Sequence, residues 1–407
     1  MQTKLADFIE GTAAGEEAKA IVGNCVHCGF CLATCPTYQL LGDELDGPRG
    51  RIYLIKQVLE GVQPTAKTQL HLDRCLTCRA CETTCPSGVQ YGRLVDIGRQ
   101  IVEDKVPRSA PSQLLRGALR EGTTSKAFGP AMRLGQALRP LLPAMLKNKV
   151  PPKQSRGAWP TRKHARKMLL LTGCVQPSMA PNINAATARV FDALGIELLS
   201  PTAAGCCGAI RHHLSDHPGA LDEVRRNIDA WWPHIEAGAE ALVMNASGCG
   251  AMVREYGHLL RNDPAYARKA ARVSEITRDV VELLVESAVP MRDRQRVTTP
   301  QRVVFHPPCT LQHGQQIRGM VEAMLTTLGA EVLPFSESHL CCGSAGTYSV
   351  LQSQLAQQLR DRKLGALMTA GPEIILSANV GCITHLASTA PVPVRHWIEW
   401  LDARLIA

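Results

Sequence analysis

Two short runs of cysteine near the amino end restrict this chain more than anything else in it. The first reads Cys25-Val26-His27-Cys28-Gly29-Phe30-Cys31-Leu32-Ala33-Thr34-Cys35-Pro36; the second reads Cys75-Leu76-Thr77-Cys78-Arg79-Ala80-Cys81-Glu82-Thr83-Thr84-Cys85-Pro86. Both fit C-x2-C-x2-C-x3-C-P, the spacing with which three thiolates wrap one cubane iron–sulfur cluster. Two intervening residues let the chain turn, so successive sulfurs reach three iron corners from one side. The fourth cysteine, followed by proline, is carried away from that loop and ligates the other cluster. Crossed ligation therefore predicts one [4Fe–4S] cluster on Cys25, Cys28, Cys31 and Cys85, and a second on Cys75, Cys78, Cys81 and Cys35. Interleaving of this kind places the clusters close together, as stepwise one-electron transfer requires. Structural zinc is satisfied by four ligands in paired C-x2-4-C form, which would leave a third cysteine and a Cys-Pro surplus in each run. His27 would suit a Rieske-type site only if cysteines were missing; with all of them present it reads as a loop residue tuning solvent access. Between the runs, residues 48–61 (PRGRIYLIKQVLEG) read as an amphipathic helix opened by Pro48 and closed by Gly61. Its Arg49 and Arg51 either offset cluster charge or form a surface salt bridge.

The carboxyl-terminal part contains a tandem duplication. One copy begins KMLLLTGC, ending at Cys174, and the other RVVFHPPC, ending at Cys309. A helical stretch closed by glycine follows in each (AATARVFDALG, MVEAMLTTLG), then a short apolar strand (IELLS, EVLPF), then GCCG or LCCG. Each copy continues with a longer helical segment and a strand, ALVMNASGC ending at Cys249 or IILSANVGC ending at Cys382. Matching cysteines (174 and 309, 206 and 341, 207 and 342, 249 and 382) are separated by 135, 135, 135 and 133 residues, a regularity chance does not produce. Strand–helix–strand–helix–strand with β-rich runs and glycine-terminated helices predicts parallel βαβ units. The cysteines Cys174, Cys206, Cys207 and Cys249, like Cys309, Cys341, Cys342 and Cys382, each follow a predicted strand. Ligands of open α/β sheets bind at that carboxyl end, so each set of four can converge, with a pseudo-twofold facing the two sets together. A further cluster per copy, one joint site, a thiol redox centre and buried structural cysteine are the readings open at this point. His212, His213, His306, His313 and His385 lie near these positions and read as hydrogen-bonding neighbours or surface residues, not ligands.

Composition narrows the rest. Eight of the 16 cysteines lie between Cys25 and Cys85. The stretch MQTKLADFIEGTAAGEE has no apolar core or cleavage pattern, and no run approaches the roughly 18 apolar residues of a membrane span. The expectation is a cytosolic chain whose thiols are reduced or metal-bound. Of the formal charge of +9, the segment from Arg108 to Lys167 alone holds 14 Lys and Arg against Glu121. That basic connector suits an acidic partner or anionic lipid. With only Phe128 and Trp159 for stacking on bases, it does not suit nucleic acid. Within it, SQLLRGALR and AMRLGQALRPLLPAML have leucines at helical spacing, interrupted by Pro140, Pro143, Pro151 and Pro152. The expected organisation is a two-cluster domain over 1–105, a helical connector over 106–165, and repeat domains over 166–290 and 291–407. The fold class is thus multidomain α+β: a helical ferredoxin domain, then two duplicated α/β domains with parallel strands. No G-x-G-x-x-G, Walker A or H-E-x-x-H sequence is present. Such a chain passes electrons but has no flavin or nicotinamide site with which to take a hydride.

Together these features resemble the iron–sulfur subunits of membrane-linked 2-hydroxyacid and glycerol-3-phosphate dehydrogenases, and the catalytic subunit of heterodisulfide reductase. The segments GNCVHCGFCLATCPTYQLLGDELDGPRGRIYLIK, LTGCVQPSMAPNINAATARVFDALGIEL and CCGSAGTYSVLQ are most similar to glycolate oxidase iron–sulfur subunits, and they span nearly the whole chain. The resemblance implies partner subunits carrying FAD that oxidise glycolate to glyoxylate. Electrons would then pass through this chain towards quinone or another acceptor. It also implies a peripheral position on the cytoplasmic face of the inner membrane, or otherwise the cytoplasm. Lactate or anaerobic glycerol-3-phosphate dehydrogenase subunits, and a thiol redox enzyme like heterodisulfide reductase, are the alternatives. One departure stands out: where the heterodisulfide reductase repeat ends in C-x2-C, the earlier position here is Ala246 or Asn379. With one thiolate fewer per copy, that family's unusual cluster is not carried over; a four-cysteine cluster, or none, stays open.

Overall fold

A computed structural model describes residues 1–143, 147 and 150–405. The cysteine runs sit among helices α1 (Ala13–Gly23), α2 (Pro36–Leu41), α3 (Pro48–Leu59), α4 (Ala66–Asp73), α5 (Ala80–Thr84) and α6 (Tyr91–Lys105), and the first strand of the described residues begins at Arg166. Proline opens α2 and α3, where its missing N–H has no partner to lose. Thr65 and Thr68 form a capping box at the start of α4. Helix α3 is therefore the one predicted between the runs, with Gly61 just beyond it at φ 97°. Its Ile52, Ile55 and Leu59 pack on Leu94, Val95 and Val102 of α6 and on Leu72 of α4. The crossing of α3 and α6 is close: a Cβ on Gly98 would lie 2.6 Å from Ile55.

The connector forms two helices, α7 (Ala110–Thr124) and α8 (Phe128–Ala137), then a single 3-10 turn over Arg139–Leu141. The end of the predicted leucine-spaced stretch, 144–146, lies outside the described residues. Part of the connector's charge is neutralised internally. Arg108 and Arg116 pair with Asp73, Arg162 with Asp192, and Arg166 with Glu240. Its leucines are not covered: Leu114, Leu134 and Leu141 are 76%, 62% and 82% exposed.

Each repeat copy is a four-stranded parallel sheet. Strands β1 (Arg166–Leu170), β2 (Ile196–Leu199), β3 (Leu242–Met244) and β4 (Thr277–Asp279) lie in the order 2-1-3-4; β5 (Arg302–His306), β6 (Glu331–Val332), β7 (Ile374–Ser377) and β8 (Val394–His396) lie in the order 6-5-7-8. Alternate side chains of β1 enter different cores, Met168 and Leu170 on one face and Leu169 on the other, so both faces are dry, as in helix-covered parallel sheets. The sequence reading had three strands per copy. The fourth in each, β4 or β8, is three residues long and leads into a helix with a capping box, Asp279 with Glu282 or His396 with Glu399. The two copies share one core in a reciprocal way. The first long helix of copy one (Asn182–Ala193) packs on the last helix of copy two (Trp397–Asp402), and the helix at Val280–Leu284 packs on Met320–Thr327. Arg189 and Asp402 lock the first of these contacts at 2.6 Å.

Candidate functional site

The two cysteine runs have the same backbone. Each begins where a helix ends: the Cys25 amide donates to Val22 O at the end of α1, and the Cys75 amide to Leu72 O at the end of α4. The residue before the second cysteine is left-handed in both, His27 at φ 57° and Thr77 at φ 51°. So is the residue after it, Gly29 at φ 84° and Arg79 at φ 60°. Two left-handed residues bracketing Cys28 or Cys78 curl the loop into a bowl, which is how the spacing presents its sulfurs to one centre. Gly29 suits this conformation, whereas Arg79 adopts it at a cost of about 1–2 kcal/mol. Cys35 and Cys85 then carry the chain out of the bowl into Pro36 and Pro86.

The thiols fall into two groups. Cys25, Cys28, Cys31 and Cys85 line one cavity with Pro48 and Ile52, and Cys81 of the second run reaches it too. Burial, then the nearby Cys25, pushes the Cys31 thiol up to about 11, with Cys35 and Cys85 adding to the effect. Cys78 and Cys81 are raised well above the ordinary thiol value by burial, and both have Cys75 and Cys35 beside them. Each run thus meets the fourth cysteine of the other. Crowded, buried thiols resist ionisation unless a cationic centre shares the site, and metal coordination deprotonates them outright. The donor set fits an iron–sulfur cluster in both groups.

Around the second group lies a buried polar network. Arg51 is 1% exposed; its guanidinium donates to His71 O at 2.7 Å, Thr37 Oγ1 at 3.2 Å and Asp46 at 3.4 Å. Thr37 Oγ1 lies 3.3 Å from Cys35 Sγ. Burial opposes the charge on Arg51, but Tyr91, Cys75, Cys35 and Asp46 raise its pKa above the ordinary guanidinium value. A surface salt bridge, one of the two readings of this arginine, is therefore excluded. Arg49 does form one, to Glu44 at 2.6 Å.

In the repeat copies all eight cysteines lie past the carboxyl ends of parallel strands, and each set of four converges. In copy one the thiols of Cys174 and Cys207 hydrogen-bond that of Cys206, and Cys207 in turn that of Cys249. In copy two Cys309 Sγ is 3.7 Å from Cys341 Sγ, the Gly343 amide donates to Cys341 Sγ at 3.5 Å, and Cys342 contacts Cys382. Asn379, where a further cysteine was looked for, instead donates Nδ2 to Cys382 Sγ at 3.6 Å. The sets face each other across the pseudo-twofold, where Ser247 bonds Ala378 O at 3.1 Å and Thr310 Oγ1 at 2.8 Å. Four converging thiols per copy are a donor set for a cluster there as well.

The helical domain docks on the copies unequally. Leu76 and Cys78 of the second run enter an apolar cluster with Cys309, Cys341 and Tyr348 of copy two, and the Cys309 thiol is a direct neighbour of Cys78. Tyr348 Oη donates to Arg74 O at 3.1 Å, and Thr83 Oγ1 meets His313 Nδ1 at 3.0 Å. Copy one is held by charge: Arg79 and Arg93 on Glu255 at 3.3 and 2.9 Å, and Asp96 on His212 at 3.2 Å.

Comparison with known proteins agrees with this arrangement. Residues 21–89 match the model of a 4Fe-4S dicluster domain, and residues 168–254 and 303–387 each match that of a cysteine-rich (CCG) domain. The chain is 54% identical to the glycolate oxidase iron–sulfur subunit of Escherichia coli (strain K12) over 407 residues, all of this chain and 99% of that one. This chain belongs to the glycolate oxidase iron–sulfur subunit family. A second relative, the probable glycolate oxidase iron–sulfur subunit of Bacillus subtilis (strain 168), is 30% identical over 89% of this chain and 88% of its own. Lactate utilization protein A of Bacillus licheniformis is 27% identical but matches only 58% of this chain. As a member of the glycolate oxidase iron–sulfur subunit family, the chain joins one 4Fe-4S dicluster domain to two cysteine-rich domains in one polypeptide.

Sequence reasoning found all sixteen cysteines but missed what surrounds them. The five histidines it singled out bond elsewhere: His212 to Asp96, His313 to Thr83, His306 to Ser377 at 3.2 Å and His385 to Ala356 O at 3.1 Å, while His213 lies near Asp96 at 3.6 Å. Asp46, His71 and Tyr348 were not anticipated; Asp46 is fully buried and takes Arg51, Arg74 and His71 together. The acidic stretch Asp43-Glu44-Leu45-Asp46 just ahead of the Pro-Arg-Gly-Arg helix start was the signal available.

Proposed function

We propose that this chain is the electron-transferring subunit of a flavin-dependent glycolate-oxidising complex, organised as a dicluster domain (1–105), a docking connector (106–165) and two CCG domains (166–290, 291–407). What supports it is the pair of C-x2-C-x2-C-x3-C-P runs within the dicluster-domain match at 21–89, in a chain related over its full length to a glycolate oxidase iron–sulfur subunit. Cys25, Cys28, Cys31 and Cys85 hold one [4Fe–4S] cluster; Cys75, Cys78, Cys81 and Cys35 hold the other. Each cluster, when bound, accepts and gives up single electrons, so this chain joins a two-electron flavin on a partner subunit to a later acceptor. Arg51 keeps a positive charge beside Cys35 and Cys75, which favours the reduced state there, since net charge and hydrogen bonds to sulfur set such potentials. Electrons enter at the first group, where Cys28 is exposed and flanked by Val26 and Phe30, 68% and 62% exposed. They move inward to the second group, which is buried. The converging CCG cysteines are the candidate site of any further cluster. The connector's exposed leucines, with Lys126, Arg133 and Lys153 among its basic residues, support docking to a partner subunit or a peripheral position on the cytoplasmic face of the inner membrane. Among the described residues no helix is long and apolar enough to cross a membrane.

Iron and acid-labile sulfide analysis of anaerobic protein, with glycolate-dependent dye reduction by the assembled complex, tests the reading. About eight irons per chain mark the dicluster pair alone, and more mark loaded CCG sites. Colourless protein binding Zn2+ would overturn it, and dye reduction with lactate but not glycolate would move the substrate assignment.

A further inference from the structure

The helices behind the two CCG turns, His217–Glu236 in copy one and Ser353–Met368 in copy two, bury matching faces. Ala220, Asn227 and Trp231 face inward on the first, and Ala356, Lys363 and Leu367 on the second, at the same spacing. The glycine of each turn fixes that register: a Cβ on Gly208 would lie 3.1 Å from Ala220 O, and one on Gly343 2.5 Å from Ala356 O. Asn227 and Lys363 therefore occupy one position, yet only one of them is charged. Asn227 is a satisfied amide, accepting from the Gly205 amide at 2.8 Å and donating to Cys206 O at 2.6 Å and Tyr256 Oη at 3.1 Å. Lys363 is 2% exposed, and among the described residues its ammonium has one hydrogen bond, to Glu337 O, with the Phe335 ring centre 5.3 Å away. The Glu337 carboxylate is engaged by Arg362 at 2.8 Å, so no acid answers Lys363 among the described residues. Burial pulls its pKa down to about 8, opposed by Cys342 and Cys341, and it stays charged at pH 7. Buried charges are ordinarily paired or set against a metal centre. In copy one the charges beside Cys206 are matched: Arg211 lies on Glu121 and Asp216, and Glu223 on Arg226 at 3.1 Å.

We propose that Lys363 is a positioning residue for charge, whose ammonium makes the copy-two cysteines, and not those of copy one, the set that receives electrons from the dicluster domain. The inference rests on the electron-transfer reading above, with a cluster on Cys309, Cys341, Cys342 and Cys382. One electron leaves the second-run set, which is oxidised by one, and copy two is reduced by one; no bond forms or breaks and no proton moves. Cys78 and Cys309 are neighbours, so the step is short. Cys342, Cys341 and Cys309 all lie within electrostatic reach of Lys363. The interior screens charge less than water does, so Lys363 stabilises the added negative charge. Asn227 offers copy one only a dipole.

Redox titration of the anaerobic full-length protein, followed by electron paramagnetic resonance, reads the potential of each set without reference to turnover. Signals are assigned with Cys249→Ser and Cys382→Ser, each of which removes that of its own copy. Lys363→Met is expected to lower the copy-two midpoint by about 59 mV, a tenfold change in a one-electron equilibrium, and to leave copy one where it was. Lys363→Arg keeps the charge and is expected to hold the wild-type value. Lys363→Gln reads the same loss should Lys363→Met fail to fold. An unchanged copy-two midpoint in the folded neutral variants, or an equal fall in both copies, overturns the proposal. About eight irons per wild-type chain overturns it too, because copy two then holds no centre for Lys363 to act on, while the dicluster reading stands. Colourless wild-type protein binding Zn2+ defeats that reading itself.

Discussion

The two CCG copies descend from one sequence unit and keep one topology, yet they meet the dicluster domain in different ways. Copy two offers it sulfur and apolar surface: Cys309, Cys341 and Tyr348 close over Leu76 and Cys78. Copy one offers charge: Glu255 takes Arg79 and Arg93, and His212 takes Asp96. A single domain set against a pseudo-twofold pair cannot touch both halves alike, so duplication supplied two similar sites and docking made them different. The dry contact suits electron passage. The charged one is held by partly buried ion pairs.

The sharpest way to break this comparison is at Cys78. Cys78→Ser should remove about four irons per chain and alter the electron paramagnetic resonance signal of copy two more than that of copy one; equal disturbance of both copies would dissolve the asymmetry. Cys85→Ser should disturb the first-run cluster and spare the second, by the same spectroscopy. A change confined to the second-run cluster would refute crossed ligation.

Smaller effects sharpen the distinction. Glu255→Ala takes a charged partner from Arg93 and from Arg79, which keeps Glu82, and should cost about 2 kcal/mol in chemical denaturation, the range for hydrogen bonds to charged groups. The equivalent loss at copy two, Tyr348→Phe, removes one hydrogen bond and should cost about 1 kcal/mol. The smallest test uses the helix caps that end the two sheets, Asp279 in copy one and His396 in copy two. Burial pushes Asp279 up to about 7 from 3.8, and pushes His396 down to about 3 from 6.5. Between about pH 4 and 6.5 folded Asp279 keeps a proton that the unfolded chain has lost, so its contribution to stability falls as pH rises. Over the same window unfolded His396 binds a proton that the folded chain refuses, so its contribution grows as pH rises. The slopes oppose, each at most about 1.4 kcal/mol per pH unit. Relative to the wild type, Asp279→Asn should therefore make stability rise more steeply with pH across the window, and His396→Gln less steeply.

Much of this was legible in the sequence because cysteine spacing encodes geometry directly. The C-x2-C-x2-C bowls, the helix at Pro48 and the parallel βαβ order of each copy follow from local signals. The fourth strands did not, since Thr277–Asp279 and Val394–His396 are too short for periodicity to register. Their capping boxes, TRDVVE and VRHWIE, were the readable mark. Nothing in the sequence could say which copy would face Cys78, because both copies carry the same cysteines. That choice depends on Tyr348 and Glu255, residues far from the cysteine runs along the chain. Arg51 stayed between two readings for a related reason: an arginine two residues from a half-buried one can face either way, and only the packing of α3 against α4 and α6 turns it inward.

That inward turn has a bearing on how the protein is made. Asp46 is fully buried and shared by two arginines, Arg51 and Arg74, with His71 beside it, so its single negative charge is outnumbered. Metal-bound thiolates in the adjoining bowl would supply the missing negative charge. Loading of the metal and inward packing of α3 are therefore expected to stabilise each other.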